Sequence, residues 1–282
     1  MKILITGAQG QLGQALQKVF SDHQVLAAGR DQLDISRLED VRSFLGRHPV
    51  DWIFNSAAYN FVDQAETDGE AALKANVTGP RNLAIASEEK SIPLLHVSSD
   101  YVFDGLAGKP YREDDVPNPL SVYGKSKLNG EREVAEHNSR HLIVRTAWVY
   151  SVTGKNFCKT MIGLGLKGDV RVVSDQLGSP TYAPHLAQGI RKLVESRTRG
   201  LYHLAGSGGT SWCGLTSCLF ELLRLKSKVQ PVSTAEFPRP AKRPVSAVLE
   251  TGREPRVELP FWQEGVRAFA DEIHPYLEEL KS

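Results

Sequence analysis

An α/β fold organised around a parallel sheet is what the sequence predicts, on three observations. Short apolar runs alternate with longer helical patterns through the first 150 residues. Three glycines, Gly7, Gly10 and Gly13, fall between the first apolar run and the first helical pattern. Beyond residue 150 the alternation loses its regularity. Strand–helix alternation gives parallel strands with helices on both faces, because each crossover carries the chain back over the sheet. The expected architecture is a Rossmann-type, doubly wound parallel sheet in residues 1–150, with a smaller C-terminal lobe in 151–282 from which some segments return to the sheet.

Taken in order, the short apolar run Lys2–Thr6 reads as a strand and Gln11–Phe20 as a helix. Gln24–Ala28 is the next strand and Arg37–Arg47 the next helix. Trp52–Asn55 is a strand, followed by helices at Asp63–Ala75 and Val77–Lys90. Pro93–Ser98 is a strand, Tyr123–His137 a helix and His141–Thr146 a strand. In the second half Asn156–Leu166, Pro184–Glu195, Trp212–Leu225 and Gln263–Leu280 read as helices, and Leu201–Ala205 as one further strand. Phe237–Val245, FPRPAKRPV, is proline-rich and basic and reads as a loop.

Composition narrows the function. Apolar residues make up 41% and charged residues 24%, enough for a packed core. The net charge of +1 argues against a nucleic-acid binder, which carries a basic excess. Cys158, Cys213 and Cys218 form no CxxC pair and no zinc spacing, and read as reduced thiols. The start, MKILITG, is too short an apolar run for a signal peptide, and no stretch approaches a membrane span. A soluble, cytoplasmic protein without membrane or nucleic-acid partners is expected.

The glycines give GxxGxxG directly after a strand and opening a helix. Such a turn lets backbone N–H groups approach a pyrophosphate, and the helix N-terminus favours its charge. Gly7, Gln9, Gly10, Gln11, Leu12 and Gly13 are therefore assigned to a dinucleotide. The end of the second strand selects among nicotinamide cofactors: an acid binds a ribose 2′-hydroxyl, whereas an arginine suits a 2′-phosphate. Here Arg30 precedes Asp31, which points to NADPH, with NADH as the alternative. Asp34 and Ile35 are assigned to the adenine. The small Ala57 and Ala58 let the cofactor pass close to the backbone; Tyr59, next to them, is assigned to the cofactor, with the sugar pocket as its other reading.

Residues 96–105 read HVSSDYVFDG, an apolar strand that ends in two hydroxyls, a carboxylate and a phenol. Parallel sheets bind ligands beyond the carboxyl ends of their strands, so Ser99, Asp100 and Tyr101 are expected at a ligand crevice. Asp100 has two readings, a turn cap or a substrate contact. Tyr123 and Lys127 form YxxxK on a predicted helix and share one face of it. The ammonium is expected to favour phenolate and lower the tyrosine pKa towards neutrality. Tyr123 then gives a proton to a substrate oxygen while hydride reaches the carbon. Lys127 also holds the nicotinamide ribose, and Ser99 completes a triad on the reacting oxygen.

With TGAQGQLG, NSAAYNFVDQAE, SSDYVFDG, YGKSKLNGE, VRTAWVYS, SDQLGSPTY, YHLAGSGGTSW and PRPAKRPVSAVL all present, the chain resembles the dTDP-4-dehydrorhamnose reductases nearly over its full length. These are extended short-chain dehydrogenase/reductases that act on nucleotide sugars. The resemblance implies hydride transfer from NAD(P)H to C4 of dTDP-4-dehydro-β-L-rhamnose, giving dTDP-β-L-rhamnose for cell-surface polysaccharide. It places Ser99 where threonine is usual in the triad. Related dehydratases follow this hydroxyl with an Asp-Glu pair, needed to eliminate water; here Tyr101 follows Asp100, which favours reduction.

On the substrate side, Tyr101 and Phe103 are expected to line the sugar pocket, and Trp148 to set a flat face beside the C6 methyl. Asn156 is a candidate polar contact and Arg243 a candidate phosphate ligand. No metal site is expected. Some relatives dimerise through a magnesium bridge that uses a glutamate soon after the glycine loop. Gln14-Ala15 stand there in this chain, so a monomer or homodimer without that bridge is expected. An epimerase that returns the hydride, another nucleotide-sugar reductase, or a non-catalytic NADP-binding regulatory subunit are the rival functions. The intact Ser99, Tyr123 and Lys127 argue against the last.

Overall fold

The computed structural model describes residues 1–277. Its strands are β1 Lys2–Thr6, β2 Gln24–Ala28, β3 Trp52–Asn55, β4 Leu94–Ser99, β5 His141–Thr146, β6 Val149–Tyr150, β7 Val170–Val173, β8 Leu177–Gly178, β9 Thr181–Tyr182, β10 Gly200–His203, β11 Thr210–Ser211 and β12 Val229–Val232. Its α-helices are α1 Gln11–Val19, α2 Leu38–Arg47, α3 Gly69–Leu73, α4 Gly79–Glu88, α5 Val122–His137, α6 Phe157–Gly165, α7 Ala183–Glu195, α8 Trp212–Leu222 and α9 Trp262–Ile273.

Six strands form one parallel sheet in the order β2-β1-β3-β4-β5-β10. This is the expected doubly wound, Rossmann-like α/β sheet. Strand β1 shows why the sequence builds it. Ile3 and Ile5 point to one face, against α1 and α7, and Leu4 points to the other, against α2 and α4. All three are buried, as a strand covered on both faces requires. Each such side chain contributes about 1.5–3 kcal/mol of transfer free energy. Because β2 and β3 flank β1, the chain reverses direction across the sheet there, and a crevice opens at the carboxyl ends. Register brings Thr6 beside Asn55 and Ser99 beside Thr146, so these strand ends meet along one edge.

A third apolar cluster, with Tyr150, Ile162, Leu219 and Phe269, packs α6, α8 and α9 together. Three two-stranded pairs tie this region up: β6 with β9, β8 with β11, and β7 with β12. None of the three was foreseen, because segments of two to four residues carry no readable period.

Two helix boundaries need correction. The expected helix at Asp63–Ala75 is a single 3₁₀ turn, Gln64–Glu66, followed by α3, which starts where the Asp68 carboxylate accepts from the Ala71 N–H at 3.4 Å. α3 then runs into α4 through a five-residue π turn, Lys74–Thr78, instead of breaking near residue 76. The expected helix Gln263–Leu280 gives way to a 3₁₀ turn at His274–Tyr276, where Pro275 removes a helix donor; residues 278–280 lie outside the described residues. Phe237–Val245 is loop, as expected. Among the described residues no helix is long and apolar enough to cross a membrane.

Candidate active site

The glycine turn is built by sterics. Gly7 has φ +67°, a left-handed conformation, and a side chain there would run into the backbone of Ser56 and Ala57. A Cβ on Gly13 would strike the Gly7 carbonyl and the Ala8 backbone. Gly10 caps α1 without any side-chain bond, which leaves the first N–H groups of the helix for a ligand. Along the adjacent strand end, Ser56 Oγ donates to the Thr6 carbonyl at 2.7 Å, and Asn76, from the π turn, clamps the Tyr59 backbone at 2.8 and 3.1 Å.

Two cavities meet at this turn. One, about 580 Å³, is lined by Gly7, Gln9, Gly10, Arg30, Asp34, Ile35, Ala57, Ala58 and Tyr59. The other, about 300 Å³, is lined by Gly10, Gln11, Leu12, Gly13, Ser99, Asp100, Tyr101, Tyr123, Lys127, Trp148 and Trp212. Side chains expected at the dinucleotide and at the chemistry therefore share one crevice. A slightly larger cavity, about 620 Å³, lies around His185, Lys192 and Glu258 and contains none of these groups, so size does not identify the site. Arg30 is exposed, lines the cavity of about 580 Å³ and has no ion-pair partner among the described residues. The Asp34 carboxylate is held by the Ser36 hydroxyl at 2.6 Å, which keeps it below the usual carboxylate range.

Tyr123 sits in the first turn of α5, where Ser121 caps the helix through the Gly124 N–H at 3.1 Å. Lys127 follows one turn later and donates from Nζ to the Val97 carbonyl at 2.7 Å. Both side chains are buried and both line the smaller cavity. The expected electrostatics need correction. Burial pushes the Tyr123 phenol up, with the Ser99 hydroxyl opposing and Asp100 and Tyr101 adding to the rise. Burial likewise pushes the Lys127 ammonium down to about 8, against the charge of Glu131. Burial is the dominant cause for both groups, and the phenol is held in its protonated form, the form a proton donor needs.

Ser99 Oγ donates to Asp100 Oδ1 at 2.8 Å and accepts from the Tyr101 N–H at 3.2 Å, so Ser99 rather than Asp100 caps the following turn. Burial raises the Asp100 carboxyl to about 7, and the Ser99 hydrogen bond pulls against it. Its pKa thus lies above the ordinary 3.8, so the stability it contributes is fully present below about pH 4 and is lost as pH rises through 7. Relative to the parent chain, Asp100→Asn should gain stability between those limits, on the order of a few kcal/mol. Urea midpoints on both sides of that window measure the gain; a pH-independent difference counts against a buried neutral carboxyl.

Three substrate-side residues sit differently from expectation. Phe103 does not line the cleft: it is fully buried, stacked on Tyr111 at 4.1 Å with the Arg145 guanidinium over its ring at 5.1 Å. The 3₁₀ turn after β4 leaves Tyr101 half-buried on the cleft wall and turns Phe103 into the core. Asn156 caps α6 and donates to Gln11 Oε1 at 2.9 Å and to the Ser151 carbonyl at 2.6 Å, so its amide ties α6 to the glycine turn. Arg243 closes a small recess beside Asp100, Tyr101 and Trp148, but its fork is held by Asp63 at 2.9 Å on both oxygens. Burial works against the Asp63 carboxylate, and Arg243 outweighs it, keeping Asp63 below its usual range. Tyr101 meets Tyr123 edge-on at 5.4 Å, and Trp148 lines the cleft.

Sequence reading missed Trp212, Asp63 and Glu131. For Glu131 a signal existed: Tyr123, Lys127 and Glu131 recur every four residues along one helix face. Glu131 binds Arg145 through both oxygens at 2.8 and 2.7 Å and accepts from Ser98 Oγ at 2.5 Å, with almost no exposure. Helix α5 is thereby fastened to β4 at Val97 and Ser98, next to Ser99. No pattern pointed to Trp212 or Asp63.

This sheet, with a glycine turn at its switch point and a Ser-Tyr-Lys cluster in the same crevice, defines a protein of the extended short-chain dehydrogenase/reductase type. The model for the RmlD substrate binding domain matches residues 1–274. A dTDP-4-dehydrorhamnose reductase of Sinorhizobium fredii is 38% identical, over 95% of this chain and 96% of its own. The crystal structure of a reductase of that name from Clostridium acetobutylicum superposes with a TM-score of 0.95 at 39% identity, covering 97% of this chain and 99% of its own. One from Bacillus anthracis, in complex with NADP, gives 0.93 at 37% identity, over 96% and 99%. The chain belongs to the dTDP-4-dehydrorhamnose reductase family.

Proposed function

We propose that the chain uses NADPH to reduce the C4 keto group of dTDP-4-dehydro-β-L-rhamnose to dTDP-β-L-rhamnose, as a cytoplasmic enzyme. The observation that carries this reading is the convergence of Ser99, Tyr123 and Lys127 on one cavity that adjoins the glycine turn. NADPH supplies the hydride when bound. Gly7, Gln9, Gly10, Gln11, Leu12 and Gly13 would hold its pyrophosphate, Asp34 and Ile35 its adenine, and Arg30 its 2′-phosphate; Ala57, Ala58 and Tyr59 would flank it. The glycine cradle, which any Cβ would fill, and the unpaired Arg30 fit such a group.

In this reading the neutral Tyr123 phenol donates its proton to the C4 oxygen, and the Ser99 hydroxyl turns its hydrogen from Asp100 Oδ1 to that oxygen when the substrate binds. Lys127, anchored on Val97, holds the ribose next to the nicotinamide and offsets the phenolate left behind. Asp100, Tyr101 and Trp148 face the sugar from residues near the sheet edge, and the segments beyond residue 150 supply most of the remaining substrate contacts. For Arg243 to meet the diphosphate, the phosphate must share the fork with Asp63 or displace it.

Spectrophotometric NADPH oxidation with dTDP-4-dehydrorhamnose, generated in situ and set beside other keto-sugar nucleotides, tests the proposal. One NADPH consumed per product is the expected result; turnover without net NADPH loss identifies an epimerase, and binding without turnover a regulatory subunit. In the same assay Arg30→Ala should raise KM for NADPH by about 10- to 100-fold, the worth of a charge-assisted pair, and leave KM for NADH nearly unchanged. Equal effects on both cofactors remove the 2′-phosphate contact.

A further inference from the structure

Trp148 has φ +46°, a left-handed backbone conformation that a large L side chain rarely adopts. Conformations of this kind persist only where surrounding structure over-determines them. Here two features do so. The indole of Trp212, in the first turn of α8, lies flat on the Trp148 indole, with ring centroids 3.4 Å apart and planes 5° apart. Gly178 leaves the space the Trp148 ring occupies, since a Cβ there would fall within 2.6 Å of the indole Nε1. Gly178 and Trp212 are held together, because Thr210–Ser211 pairs with Leu177–Gly178 directly before Trp212. Phe157 backs Trp212 at 4.5 Å.

Both tryptophans line the cavity that holds Ser99, Tyr123 and Lys127, and both line the recess beside Asp100 and Arg243. We infer that Trp212 is a specificity-determining positioning residue, which locks the Trp148 indole through the stack and so fixes the sugar-side wall of the cleft. The inference rests on the reductase reading of this site. A free indole in the Trp148 position has two rotatable side-chain bonds and a strained backbone that relaxes once its partners are gone. Freezing it in advance lowers the cost of ordering the wall when the sugar binds. Trp212 therefore acts on the nucleotide sugar through Trp148, and leaves the dinucleotide side of the crevice alone.

The test is a double-mutant cycle on the full chain with Trp148→Ala and Trp212→Ala, read as KM and kcat for the keto-sugar nucleotide and as Kd for NADPH. Trp212→Ala should raise the nucleotide-sugar KM by about tenfold, and on the Trp148→Ala background should add less than about twofold. Gly178→Ala, which displaces Trp148 and leaves Trp212 intact, should reproduce the KM increase. NADPH Kd should stay within about twofold throughout, which also shows that each variant is folded. The parent chain should give the far-ultraviolet circular-dichroism couplet of two stacked indoles, lost in Trp212→Phe. Multiplicative effects of the two alanine substitutions, a parallel loss of NADPH affinity, or an absent couplet in the parent each overturn the inference. A parent chain that turns over none of the keto-sugar nucleotides overturns the reductase reading, and this inference with it.

Discussion

Tyr123→Phe should lower kcat by about 10²–10⁴-fold, the usual worth of a positioned proton donor, with NADPH affinity unchanged within about twofold. The substitution removes one hydroxyl and keeps the ring. That ring packs against Ala65, Ala72 and the edge of Tyr101, so the cleft wall survives. What is lost is the one neutral acid at this position: burial holds the phenol protonated, whereas the neighbouring Ser99 hydroxyl is already committed to Asp100 and the Tyr101 N–H. Asp100, with a pKa near 7, is a second acid on the cleft wall, hydrogen-bonded to Ser99. Residual turnover in Tyr123→Phe that rises as pH falls through 7 would identify that carboxyl as the substitute donor. Single-turnover NADPH oxidation measures both quantities. Full activity in the variant removes Tyr123 from the acid role.

Glu131→Ala should cost about 3–5 kcal/mol of stability, because it leaves the Arg145 guanidinium buried without its counter-ion. Arg145 and Glu131 are both almost wholly inaccessible and joined by two parallel hydrogen bonds. Ser98 loses its acceptor at the same time, so β4 is released from α5 one residue before Ser99. Urea unfolding measures the loss; a change below about 1 kcal/mol, the worth of an exposed pair, contradicts the buried geometry. Glu131→Gln is the milder companion. It keeps the shape and removes the negative charge that holds the Lys127 pKa up near 8. Lys127 should then lose its proton at lower pH, moving the alkaline limb of the kcat/KM profile downwards.

The parts of the fold legible in the sequence are those in which neighbouring residues decide the outcome. The strand Lys2–Thr6 and the helix after it follow from apolar spacing, and the turn between them follows from three glycines that a Cβ would block. His141–Thr146 is legible for the same reason, as an uninterrupted strand buried on both faces. The helix misplaced at Asp63–Ala75 shows the limit. Helical propensity runs through that segment, but the Asp68 cap and the π turn at Lys74–Thr78 depend on where Asn76 must reach to hold Tyr59 and Ser126. The YxxxK pair was legible as a shared helix face; the direction of its pKa shifts was not, since burial is a property of everything packed around it.

By itself the sequence determined the doubly wound sheet, the dinucleotide turn, and the set of side chains that gather at the strand ends, because each depends on residues a few positions apart. Only the tertiary structure decided that Phe103 belongs to the core, that Arg243 grips Asp63 from 180 residues away, and that Trp212 lies on Trp148. Those outcomes depend on packing between distant segments, where the cost of removing a group from water is set by neighbours that no local pattern names.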